Sequence, residues 1–138
     1  MILKKLFRYA FVFLLGAVMY NLIEVIFRGY THWSMSLAGG SVLLIFYILS
    51  PELGRVHPVI GGLTGALVIT SIELIAGVIF NIYLKADVWD YSDMPLNFLG
   101  QICLPFSAAW FLLYFPAQFI CTALHRKFEK SEAQFEEI

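Results

Sequence analysis

Two glutamates sit where a hydrophobic sequence has least use for them, Glu24 within "YAFVFLLGAVMYNLIEVIF" and Glu73 within "GALVITSIELIAGVIF". Carboxyls in apolar surroundings can carry protons or act as general acids and bases. His32 and Asp90 add to that capacity, and Arg28, one turn beyond Glu24, can neutralise it. No spacing among these residues specifies a reaction, so no catalytic residue is assigned and an enzyme is the less favoured class. Cys103 and Cys121 lie in one apolar block, about 27 Å apart if it is a single helix, so they pair only between chains or serve as small buried hydrophobes. There is no CxxC or Cys/His zinc spacing, and no metal or cofactor is expected.

Such side chains need a scaffold, and composition names it. Of 138 residues, 60% are hydrophobic and 14% charged, where a soluble domain carries about a quarter charged. The apolar residues gather into four blocks, 9–27, 33–49, 59–83 and 96–124, and each meets the roughly 17–25 residues a helix needs to cross a bilayer. We therefore expect an all-α polytopic membrane protein, with a four-helix transmembrane domain over 1–124 and a short cytoplasmic tail, 125–138, as a helix end that frays. The net charge of −1 offers no footing for nucleic acid. Block one follows Lys4, Lys5 and Arg8 as a signal peptide would. It has no small-residue cleavage site, however, and runs on through Asn21 and Glu24, which predicts a retained span. Block four is expected to open near Asp93–Pro95 and bend near Pro105. A short interfacial or re-entrant piece before Pro105 is the alternative.

Lys4, Lys5, Arg8, Arg55, Arg126, Lys127 and Lys130 fall on one side of this arrangement, and only Arg28 and Lys85 on the other. The positive-inside rule then places both termini in the cytoplasm and the loop 85–96 outside. His32 lies at the outer interface while His57 and His125 lie at the inner one, so no two can hold a haem at one depth. A faint echo between "LIEVIF…HWS…LAGG" and "SIELIA…WDYS…FLGQ" would make the halves two parallel helical hairpins.

With this topology the polar residues share one leaflet. Asn21, Glu24 and Arg28 lie on one face of the first span. Gly62, Ala66, Thr70, Glu73, Gly77 and Asn81 fall within about 100° of arc on the third. Asn97 and Gln101 come in near the same surface from the fourth. Glu73 has no basic neighbour in its own span, so it must borrow Arg28 or His32 across the bundle, bind water or stay protonated. Two readings stand. In one the cluster simply locks helices together, each contact worth roughly 1 kcal/mol; in the other it lines a hydrated pocket open to the outer face. His32 alone reads as an interfacial hydrogen-bonder. The Gly61-x-x-x-Gly65 pattern reads as a packing seam for span one or four, or for a second chain.

The stretch "VWDYSDMPLNFLGQICLPFSAAWF" leads into the fourth span. Trp89 and Tyr91 suit the headgroup level, and Asp93 with Pro95 suits a helix start. Asp90, Asn97 and Gln101 are left over, and the segment, Ser92 included, reads as lid and rim of the pocket; normal activity after a charge-neutral replacement of Asp90 would count against that. Together with "NLIEVIFRGYTHWSMSLAGG" it resembles the CmpB-like family of ABC-transporter type IV permeases, from about residue 20 to 113. The resemblance implies a small multispanning protein of the bacterial cytoplasmic membrane. The matching positions are Asn21, Glu24, Arg28, Gly29, His32, Trp33, Glu73, Asn81, Trp89, Asp90, Tyr91, Ser92, Pro95, Gln101 and Pro105.

The first functional expectation is thus a permease or transport-system component working as a homo-oligomer or in a larger membrane complex. One version is a dimeric proton-coupled exporter with Glu24 or Glu73 as proton carrier. An ATPase partner finds little to dock on, because the only cytoplasmic loop, "SPELGRVH", is too short for a coupling helix. The alternatives are an outer-leaflet site that binds or acts on lipid or a lipid-linked group, and an accessory structural subunit.

Overall fold

Apolar side chains in lipid leave backbone N–H and C=O groups no partner but each other, which is why such runs become helices. The computed structural model of the chain describes residues 2–137. It contains α1 (Ile2–Arg28), α2 (Trp33–Leu53), α3 (Pro58–Ala76) and α4 (Leu104–Glu136). A π-helical segment, Gly77–Tyr83, extends α3, and two-residue strands β1 (Asn97–Phe98) and β2 (Ile102–Cys103) precede α4. All four helices, α3 with its extension, are long and apolar enough to cross a membrane. The protein is a four-span membrane protein.

The helices pack as two hairpins, α1 on α2 and α3 on α4, joined mainly through α2. Val12, Leu43, Phe46, Tyr47, Ile69, Tyr114 and Cys121 form the core between them. The seam expected at Gly61 and Gly65 is filled within the chain: a Cβ at Gly65 would stand 2.7 Å from the Tyr114 ring of α4. Both cysteines are free and buried.

Helix ends follow local chemistry. His32 and His57 cap α2 and α3, each ring Nδ1 accepting a backbone N–H at 3.2 Å, from Ser34 and Val59. Gly29, at φ +79°, ends α1. The start of α4 differs from the expectation at Asp93–Pro95. It begins at Leu104, with Cys103 as N-cap and Pro105 in the first turn, so Pro105 bends nothing. The reason lies at Asn97. Its amide donates to Ser92 O and Met94 O and accepts from Gly100 N, tying the backbone into a loop that a helix could not share. Leu96, Leu99 and Gly100 take positive φ there, and Asn97 and Phe98 pair with Cys103 and Ile102 as an antiparallel ribbon. Past residue 124, α4 stays helical to Glu136 and meets the start of α1, where Arg8 pairs with Glu132 and Lys4 lies 5.6 Å above the Phe135 ring.

Pro51 lies inside α2 and cannot donate to the carbonyl of Tyr47 one turn back. Ser50 Oγ donates to that carbonyl at 3.1 Å, and His125 of α4 adds a second partner: its Nε2 is 2.7 Å from Tyr47 O, and its ring stacks on that of Tyr47 at 3.9 Å. His125→Ala should lower stability by about 2 kcal/mol, the cost of one lost hydrogen bond to that carbonyl plus the lost ring contact. In a Pro51→Ala background, where residue 51 regains its N–H, the same change should cost clearly less. Equal losses of thermal midpoint in both backgrounds would refute the assignment.

Candidate functional site

A cavity of about 140 Å³ lies among the four helices. Gly16, Phe46, Ile69, Leu113, Pro116, Ala117 and Ile120 line its apolar length, and Tyr20, Glu24, Arg28, Glu73, Trp89, Tyr91 and Trp110 form its polar part. The order along the chain explains the division. Glu24 and Arg28 lie near the end of α1, Trp110 near the start of α4, and Trp89 and Tyr91 in the loop between α3 and α4, so all approach the same end of the bundle. The deeper positions of all four helices carry the apolar lining.

At the polar end, Arg28 Nε is 2.8 Å from Glu24 Oε2, an i,i+4 ion pair without good hydrogen-bond alignment. The guanidinium also lies 4.6 Å from the Tyr30 ring centre. Glu73 is buried, 9% exposed, and accepts a hydrogen bond from Trp110 Nε1 at 2.9 Å. Tyr91 faces the same carboxyl, its ring stacked on Phe106 at 4.8 Å. Burial, reinforced by the Glu73 charge, pushes the Tyr91 phenol far above its ordinary value, so it stays a protonated donor. Glu24 and Glu73 thus line one cavity, but they are differently served: Glu24 has a cation, and Glu73 has neutral donors.

The other residues singled out by sequence lie outside this lining. Asn21 donates to Ser36 Oγ at 2.6 Å and accepts from Thr31 at 2.5 Å, fastening α1 to α2. His32 caps α2 and stacks near Trp33. Asp90 is exposed; its carboxylate caps the Ser92 N–H at 2.8 Å, and these Ser92 contacts hold its carboxyl below the usual range. Asn81 and Gln101 position the roof. Asn81 Oδ1 accepts from Val88 N at 2.7 Å and Trp89 N at 3.3 Å, while its amide donates to Gln101 Oε1 at 2.8 Å. Trp89 Nε1 donates to Gln101 O at 3.0 Å. Gln101 is buried against Gly77, where a Cβ would come within 2.6 Å of its Oε1. The π-helical segment carries Asn81, which is how the extra backbone of such a turn comes to serve a site.

Sequence reasoning missed Tyr20 and Trp110. Tyr20 stands one turn before Glu24, on the face already traced through Asn21 and Arg28, and that spacing was the available signal. Trp110 had none, since an aromatic inside an apolar span looks like ordinary packing.

Four apolar helices around a shared cavity with charged groups at one end define a polytopic membrane protein. A profile of the family described as "Putative ABC-transporter type IV" matches residues 11–138, and the chain belongs to that family. No curated protein and no solved structure matches it.

Proposed function

We propose that the chain is the membrane component of a transport system in the bacterial cytoplasmic membrane, with its cavity open to the extracytoplasmic side. The observation that carries this is the cavity itself, bounded by all four spans and polar at one end only. Sidedness rests on the basic residues: Lys4, Lys5, Arg8, Arg55, Arg126, Lys127 and Lys130 cluster at the end remote from the polar groups. Glu73, Trp89 and Tyr91 face the ligand, Glu24 and Arg28 neutralise each other beside it, and Asn21, His32, Asn81, Asp90, Ser92 and Gln101 hold the helices and roof that shape its site. Large apolar side chains stay exposed on the outside of the bundle, Leu67 at 68% and Phe119 at 72%, which supports contact with lipid and with further copies or a larger membrane partner.

One observation favours a second reading, a binding protein of the outer leaflet that passes nothing across. Phe46, 1% exposed and edge-on to Tyr114, stands at the inner end of the lining. Transport through this path needs that contact to open or a partner to complete it.

In a background with Cys103 and Cys121 replaced by alanine, an impermeant maleimide should label Ser92→Cys and the cavity variant Ile72→Cys in intact cells. It should reach Glu52→Cys, between α2 and α3, only after permeabilisation. Labelling of Glu52→Cys from outside would overturn the orientation. Cross-linking in native membranes should give a species at least twice the monomer mass, and monomer alone would refute the assembly.

A further inference from the structure

We propose that the cavity receives an organic cation with a short apolar body, an alkylammonium, whose charged head sits against Glu73. The inference rests on the cavity reading above and deepens it. Charge comes first. The cavity holds two carboxyls and one guanidinium, and Arg28 is engaged with Glu24 and Tyr30. Glu73 has no cation of its own; Trp110 and Tyr91 offer it only neutral N–H and O–H groups. A buried carboxylate without a counter-charge is costly, and a cationic ligand removes that cost whereas an anionic one compounds it.

The surroundings then choose among cations. Among the described residues no group of three or more His, Cys, Asp or Glu side chains converges as a metal site would require. Instead the rings of Trp89, Tyr91 and Trp110 line the polar end, the environment in which alkylated ammonium groups are held over aromatic faces. Beneath them the lining is aliphatic, from Ile69 and Leu113. The volume of about 140 Å³ is close to that of an engineered apolar cavity that admits benzene. A tail of about six carbons fits that size.

The test uses the whole protein in neutral maltoside micelles, with Trp33→Phe so that fluorescence reports only Trp89 and Trp110. Hexyltrimethylammonium should bind saturably, at least about tenfold tighter than hexanoate, hexanol or tetramethylammonium. Glu73→Gln should bring the cation to the level of hexanol while leaving hexanol unchanged, which also shows that the variant is folded. Should that variant not fold, Glu24→Gln with Arg28→Gln serves instead. It removes the ion pair as a unit and should keep the preference for the cation. Hexanoate binding as well as the cation, or a preference that survives Glu73→Gln or vanishes with the ion pair, overturns the assignment to Glu73 and leaves the cavity reading standing. No saturable binding of any six-carbon probe counts against both. Competition by added phosphatidylethanolamine would identify the natural cation as a lipid headgroup, and its absence a soluble amine; either supports the site.

Discussion

Arg28→Ala should destabilise the protein by about 3 kcal/mol, the low end for breaking a buried ion pair, because both partners keep some exposure. Arginine and glutamate side chains here are 27% and 13% exposed, and the distance between them is 2.8 Å. Removing the cation strands Glu24 in a cavity that already contains Glu73, so the loss is larger than the worth of the pair itself. The double variant Arg28→Gln with Glu24→Gln should recover most of the stability, since it removes both charges together and keeps hydrogen-bonding groups of similar size. Unfolding of each variant in mixed micelles measures this. If the double change proves as damaging as Arg28→Ala, charge is not what the pair contributes, and packing of the guanidinium against Tyr30 takes its place.

Gly16→Val should be at least as severe, at about 3 kcal/mol or more, because overpacking against backbone has no inexpensive relief. A Cβ at residue 16 would lie 2.6 Å from Leu43 Cβ and 2.7 Å from the Gly39 carbonyl oxygen. Neither is the end of a flexible side chain, so α1 must move off α2 as a body. Gly16 and Leu43 also line the cavity, and the same displacement should abolish ligand-dependent fluorescence changes. Gly29→Ala is the control. Nothing lies within 4 Å of its Cβ, and only the left-handed backbone is strained, at about 1 kcal/mol. Similar losses for the two variants would show that close approach of α1 and α2 is not what residue 16 provides.

Much of this was legible before any coordinates. The four spans are local in origin: twenty apolar residues in lipid have no other way to satisfy their backbone, whatever they later touch. The Glu24–Arg28 pair is equally local, since helical pitch alone brings positions four apart onto one face. Trp89 and Tyr91 stood out because aromatics beside acids at the mouth of a span are conspicuous in any order of packing.

Elsewhere the outcome hung on partners distant in sequence. Asn97 decides where α4 begins by bonding to Ser92, Met94 and Gly100, and a side-chain amide that competes with helix leaves no trace in hydropathy. Asn81 and Gln101 meet through a hydrogen bond across twenty residues, a pairing that spacing along the chain does not show. His125, a lone histidine just past the apolar block, acquires its role from a proline in another helix. Periodicity reports which side of a helix is polar, because side-chain direction repeats with the pitch; it is silent on which neighbour that side meets. The separate surroundings of Glu24 and Glu73, one facing a guanidinium and the other an indole, arise only when four helices converge, for that pairing depends on crossings in space rather than on spacing along the chain.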